Sequence, residues 1–181
     1  ILHNNREGGE PGVLFINRIN AMNRMNYAED IHATNPCGEL PLPPYGACLL
    51  GSVILPAFVR NPFGETASFD FPKMEETVRT ATRLLDNAVG MARFPLEKQR
   101  TTALATRRIG IGVTGLANAL AMLNLDYDSE KGRATAAGIL ARIRDTAFLA
   151  STELAKEKGR FPALDTEAYL GNRTAPPLPD N

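Results

Sequence analysis

The chain has 181 residues, 44% apolar and 22% charged, and its 20 basic and 20 acidic side chains cancel at neutral pH. That length suits one domain able to bury about 70% of the surface its unfolded form exposes, and the composition is far from the low-hydrophobicity, high-charge signature of disorder. The balanced charge leaves no bulk electrostatic footprint for duplex nucleic acid or an anionic membrane, and no run approaches the roughly 18 to 20 apolar residues of a spanning helix.

The first residues, Ile1-Leu2-His3-Asn4-Asn5-Arg6, lack the apolar core of a secretion signal, so the default location is cytoplasmic. They include no initiator methionine and look mid-element, which reads as an internal piece of a longer chain. Residues 1–60 are rich in Asn, Gly and Pro, with short apolar bursts at Val13-Leu14-Phe15-Ile16 and Val53-Ile54-Leu55 that suit either buried strands or single helical turns. From Phe71 the pattern changes. Met74, Val78, Ala81, Leu85 and Ala88 recur at helical spacing behind Pro72 and predict a helix from about 72 to 91. A shorter helix follows from Leu96 to about Thr106, and Arg107 to Val113 reads as a short strand feeding a helical stretch from Leu116 to Leu123. The longest element is predicted to begin at the N-cap Ser129, to carry Ala136, Leu140, Ile143, Ala147 and Leu154 on one face, and to stop at Gly159. Residues 171–181 hold three prolines and read as a flexible tail or a truncated linker.

Both cysteines fall in one segment, Ala33-Thr34-Asn35-Pro36-Cys37-Gly38-Glu39 continuing to Ser52. In a reducing compartment a cysteine pair points to catalysis or metal binding more than to a structural staple. Asn35 and Glu39 sit two residues either side of Cys37, and in an extended segment those three side chains share a face. Pro36 biases Asn35 toward extended geometry and Gly38 allows close approach of the backbone, which together describe a stiff presenting loop. Cys48 follows eleven positions later, a spacing that fits neither a zinc ribbon nor a C-x-x-C redox motif. His32, Cys37, Glu39 and Cys48 supply four donor types, but irregular spacing and the lack of a second Cys or His pair argue against a metal site. The plain alternative is two unrelated small buried residues in a turn-rich region.

The string ATNPCGELPLPPYGACLLGS closely resembles the active-site segment of the large catalytic subunit of ribonucleotide reductases, most like the adenosylcobalamin-dependent class. GEPGVLFINRIN before it, and LLDNAVGMARFPLEKQ, RRIGIGVTGLANAL and STELAKEKGRFP after it, resemble family blocks in the same order. The resemblance runs to about residue 170. It implies an α/β fold: residues 1–170 as a fragment of a ten-stranded α/β barrel, helix-rich in its second half, with a finger loop at about 33–48 entering the centre. It further implies that Cys37 becomes a thiyl radical abstracting the ribose 3′-hydrogen, that Glu39 takes the 3′-hydroxyl proton, and that Asn35 holds the ribose hydroxyls. The backbone of Asn35, Pro36, Cys37, Gly38 and Glu39 would line the substrate. Cys48 would be one of two reducing thiols, its partner lying upstream of this segment. The implied partners are a ribonucleoside di- or triphosphate, a thioredoxin-type reductant and a second copy in the intact protein, with adenosylcobalamin as cofactor and neither nucleic acid nor membrane. Leu49, Asn118 and Asn17 depart from the residues usual in the family, away from the implied chemistry. The phosphate loop and a C-terminal cysteine pair would lie downstream, so the isolated chain is expected to give no complete turnover.

Two other readings compete. Gly110-Ile111-Gly112-Val113-Thr114-Gly115 matches G-x-G-x-x-G, the dinucleotide fingerprint, which needs a buried strand before it and an acidic residue closing the next strand about 20 residues on. Thr106-Arg107-Arg108 is too charged for the first, and LNLDYDSE around Asp126 and Asp128 offers no second strand, so close strand–helix packing is expected instead. The other reading is a non-catalytic helical interaction module. Arg107 and Arg108 are expected to be solvated or salt-bridged, Tyr45 to pack on proline, and His3 and His32 to face solvent.

Overall fold

The structure, a computed structural model, describes residues 1–172 and 174–175. In chain order the elements are α1 (Leu2–Gly8), α2 (Ile16–Met22), β1 (Ala33–Thr34), β2 (Pro41–Leu42), β3 (Leu49–Ile54), a 3-10 turn (Leu55–Phe58), β4 (Val59–Arg60), β5 (Ser68–Phe69), α3 (Phe71–Met91), α4 (Glu97–Thr106), β6 (Ile109–Thr114), α5 (Leu116–Met122), α6 (Glu130–Lys158) and α7 (Thr166–Gly171). They form two units, one built from Ile1–Gly46 with the stretch from Ala163, the other from Ala47–Pro162. The predicted tail at 171–181 falls mostly outside the described residues.

The first unit has little core, with Met25 and Ile31 as its large buried side chains. Hydrogen bonds to side-chain amides and a phenol take over the organising role. The Asn20 amide donates to the Ile31 carbonyl at 2.9 Å and accepts from its N–H at 2.8 Å, fixing the chain two residues before β1. The Tyr27 hydroxyl donates to the Ala163 carbonyl at 3.0 Å and accepts the Asp165 N–H at 3.0 Å. Each clamp satisfies backbone groups that an irregular segment would otherwise leave unpaired.

The second unit is a strand pair backed by helices. β3 and β6 run parallel in the register Leu49↔Ile109 through Ile54↔Thr114. Because side chains alternate along a strand, Val53, Ile111 and Val113 turn toward a core that also holds Leu55, Phe58, Met74, Val78, Ala119, Ile139 and Ile143. The opposite face, carrying Leu50, Ser52, Ile54, Gly112 and Thr114, is exposed. α3 packs against both strands and against α6. Among the described residues the strands form three two-stranded sheets and no closed barrel.

The long helices occur where the sequence places them. Pro72 sits in the first turn of α3, whose N-cap Asp70 accepts the Lys73 N–H at 3.2 Å. Ser129 caps α6, accepting the Gly132 N–H at 2.9 Å, and Gly159 ends it with φ +88°. The buried faces differ in detail from the predicted stripes. On α3 Thr82 and Val89 are buried where Ala81 and Ala88 were expected, and the Thr82 hydroxyl, 1% exposed, donates to the Val78 carbonyl at 2.8 Å. On α6 Ile139 is fully buried and its neighbour Leu140 is 42% exposed, reversing the expected order. Two adjacent apolar residues lie about 100° apart on a helix, and packing against α3 selects one of them. Ser129→Ala is expected to cost about 1 kcal/mol and to fray the start of α6. Hydrogen exchange at Gly132 and Arg133 of the full-length protein measures this.

Candidate active site

The loop between β1 and β2 is a hairpin tip. β1 and β2 pair antiparallel, Ala33↔Leu42 and Thr34↔Pro41. The Gly38 N–H donates to the Asn35 carbonyl at 3.0 Å, closing a β-turn with Pro36 and Cys37 as its central residues. The Asn35 N–H donates to the Leu40 carbonyl at 3.2 Å, and Asn35 Oδ1 accepts the Leu40 N–H at 2.9 Å. Gly38 leaves the turn at φ +84°, a left-handed conformation that glycine adopts without steric cost.

This geometry corrects the extended segment expected at 35–39, so the alternate-face argument for grouping Asn35, Cys37 and Glu39 does not apply. The sequence carried the signal for a turn: Asn at the first position, Pro at the second and Gly at the fourth match the preferences of a type I turn. The turn still brings Asn35, Pro36, Cys37 and Gly38 together, with Glu39 next in chain. Cys37, Gly38 and Glu39 are exposed and Asn35 is half-buried. Because Asn35 Oδ1 is engaged by the loop backbone, the free donor of its amide is Nδ2, which makes no hydrogen bond among the described residues.

A second turn follows, closed by the Gly46 N–H donating to the Pro43 carbonyl at 2.9 Å, with Tyr45 at φ +61° and 47% exposed. Cys48 lies beyond it, in the other unit, immediately before β3. Both cysteines are free thiols. Cys48 is half-buried; burial pushes its thiol up from the ordinary value, and the charge of Arg108 pulls in the opposite direction.

The remaining candidates separate clearly. No group of three or more His, Cys, Asp or Glu among the described residues is placed to hold a metal ion, so His32, Cys37, Glu39 and Cys48 form no such cluster. His32 lies 3.5 Å from Asp30 with both side chains exposed, so it has a carboxylate neighbour as well as solvent. The G-x-G-x-x-G stretch is not a phosphate loop, because Gly110 and Gly112 sit inside β6 and not in the turn after it. A Cβ at Gly110 would meet Leu50 Cδ2 at 2.6 Å, and one at Gly115, where φ is +74°, would meet Pro56 Cδ at 2.7 Å. Close packing accounts for both glycines. Arg107 is salt-bridged, its Nε donating to Asp86 Oδ1 at 2.9 Å beside a cleft of about 410 Å³. Sequence reasoning missed this partner, since 21 residues separate the two.

Residues 1–175 match the family described as ribonucleotide reductase, barrel domain. The chain belongs to that family. A vitamin B12-dependent ribonucleoside-diphosphate reductase from Mycobacterium tuberculosis (strain CDC 1551 / Oshkosh) is 42% identical over 162 residues, covering 90% of this chain and 23% of that protein. One of the same description from Thermoplasma acidophilum is 40% identical over 154 residues, covering 85% of this chain and 20% of that protein. Among solved structures, the Actinobacillus ureae class Id ribonucleotide reductase alpha subunit aligns with a TM-score of 0.73 at 26% identity, over 90% of this chain and 32% of that one. The chain thus spans between a fifth and a quarter of the length of these curated relatives. The α/β reading of the ribonucleotide reductase barrel stands, with helices dominating the second half. Among the described residues no helix is long and apolar enough to cross a membrane.

Proposed function

We propose that this chain is the finger-loop segment of a ribonucleotide reductase catalytic barrel and that the whole protein converts ribonucleotides to deoxyribonucleotides. Residues 1–170 are the barrel fragment in this reading, with the finger loop at about 33–48. The observation that carries it is the turn at Asn35–Gly38, which presents an exposed Cys37 at its tip on a backbone fixed by its own hydrogen bonds. A reactive sulfur has to be both reachable and held still, and a clamped turn meets both needs.

Cys37, as a thiyl radical, takes the 3′-hydrogen atom of the ribose and becomes a thiol. The Glu39 carboxylate takes the 3′-hydroxyl proton as the 2′-hydroxyl, protonated by one of the reducing thiols, leaves as water, and it returns that proton when the 3′-hydroxyl is re-formed. Two thiols, Cys48 and a partner outside this chain, supply two electrons and two protons and become a disulfide. The Cys37 thiol then returns a hydrogen atom to C3′ and regenerates the radical. Asn35 Nδ2 donates to a ribose hydroxyl in this reading, while Oδ1 stays with the Leu40 N–H of the loop.

Adenosylcobalamin, the cofactor implied by the names of the closer relatives, would supply the initial one-electron oxidant. No chemistry assigned to this chain's residues runs through that cofactor. The substrate is a ribonucleoside diphosphate, the nucleotide class those relatives' names carry, and the disulfide is reopened by a thioredoxin-type dithiol. The intact protein is proposed as a cytoplasmic homodimer. Glu39→Gln in the full-length protein is expected to lower turnover on the order of 10²-fold while leaving nucleotide affinity nearly unchanged. Unchanged turnover would remove Glu39 from the proposal.

A further inference from the structure

We propose that Arg108 is a positioning residue for Cys48, its guanidinium favouring that sulfur as the one that carries negative charge when a disulfide through Cys48 is opened. The inference rests on the reading of Cys48 as a reducing thiol.

The strand pair sets the geometry. β3 and β6 begin in register at Leu49↔Ile109, so the residue before each, Cys48 and Arg108, stands at the same end of the ladder. The Leu49 N–H donates to the Arg108 carbonyl at 3.3 Å, which ties the Arg108 backbone beside Cys48. Alternation along parallel strands puts Cys48 on the face of Leu50 and Ser52, and Arg108 on the matching face of Gly110 and Gly112. At Gly110, which Leu50 packs over, an added Cβ would lie 3.7 Å from Cys48 Sγ, so the sulfur stands close to the β6 backbone two residues from Arg108. Arg107, held at φ +47° and bonded to Asp86, is committed elsewhere. Arg108 Nη1 is buried, so its charge acts with little solvent between. The Leu49 carbonyl and the Gly110 backbone lie near the sulfur, and the Arg108 charge pulls the thiol down against the burial that pushes it up.

In exchange with a dithiol, the attacking thiolate forms a new S–S bond to one sulfur and the old S–S bond breaks. Its electron pair stays on the other sulfur, which later takes a proton. A cation beside Cys48 lowers the free energy of leaving that pair on Cys48 and so directs attack to its disulfide partner. The same cation offsets the burial that opposes thiolate formation in the resting thiol.

The test is the pH profile of iodoacetamide alkylation at Cys48 in the full-length reduced protein, followed by mass spectrometry of the Cys48 peptide. Arg108→Gln and Arg108→Met are expected to raise the midpoint and slow alkylation near neutral pH roughly three- to tenfold, up to about one pKa unit. Arg108→Lys is expected to stay close to wild type. A midpoint that both neutral variants leave in place, or that moves as far with Lys as with Gln, overturns the proposal. The reductant reading fails by a separate sign: Cys48→Ser would then keep multiple turnover with a dithiol, whatever Arg108 does to the alkylation profile.

Discussion

Replacing Cys37 with serine in the full-length protein is expected to remove nucleotide reduction, by a factor on the order of 10³ or more, with the fold unchanged. The side chain is exposed at the tip of a turn, so the substitution empties no core volume and breaks no recorded hydrogen bond. The turn itself is held by backbone groups and by Asn35, none of which the substitution touches. What changes is the atom: a hydroxyl resists one-electron oxidation far more than a thiol, so no radical forms to take the ribose hydrogen. Deoxynucleotide formation followed by chromatography, beside circular dichroism and a thermal melt, measures both halves of the expectation. A non-catalytic interaction module predicts the reverse, intact activity and an incidental cysteine. Full activity in a folded Cys37→Ser protein would retire the proposed mechanism outright.

The parts of this fold that local physics dictates were readable, and the parts that depend on distant partners were not. α3 and α6 announce themselves through a 3.6-residue period, Pro72 in a first turn, Ser129 as a cap and Gly159 as a stop. The parallel pairing of β3 with β6 joins residues sixty positions apart, and Val53-Ile54-Leu55 is too short for its periodicity to distinguish strand from helix. β1 and β2 are two residues each, below the length at which alternation exists. At the site, the loop was legible as stiff but its shape was misjudged: Pro36 constrains Asn35 before it, yet Pro36 also presets the second position of a turn, and Gly38 completes that turn. The physical reading of Cys37 alone left an inert buried thiol open. Resemblance to ribonucleotide reductases narrowed it, and exposure of the thiol excludes the buried version.

The Asp86 cluster shows what such long-range pairing contributes, and Asp86→Ala is expected to destabilise the second unit by about 2–3 kcal/mol. One carboxylate, 15% exposed, accepts from Arg107 Nε at 2.9 Å and from Lys158 Nζ at 2.8 Å. Arg107 Nη2 also donates to the Asp86 main-chain carbonyl at 2.7 Å. Arg107 is the left-handed cap between α4 and β6, and Lys158 is the last residue of α6, where a cation also complements the helix dipole. The carboxylate therefore fastens α3, the α4–β6 junction and the end of α6 to one another, and truncation strands two partly buried cations. Burial by itself would push the Asp86 carboxyl up, but hydrogen bonds from Lys158 and Arg107 outweigh it and hold the group below its ordinary value of 3.8. A folded value below the unfolded one means that the stabilisation is complete above the unfolded pKa, near 4, and is lost as pH falls through the folded value. Hydrogen exchange in peptides from α3 and α6 of the full-length protein, corrected for intrinsic rates, reads the effect. The protection gap between wild type and Asp86→Ala should hold constant from neutral pH to about 5 and narrow below about 4. A gap that persists unchanged into acid would show that packing, not the charged cluster, ties these elements together.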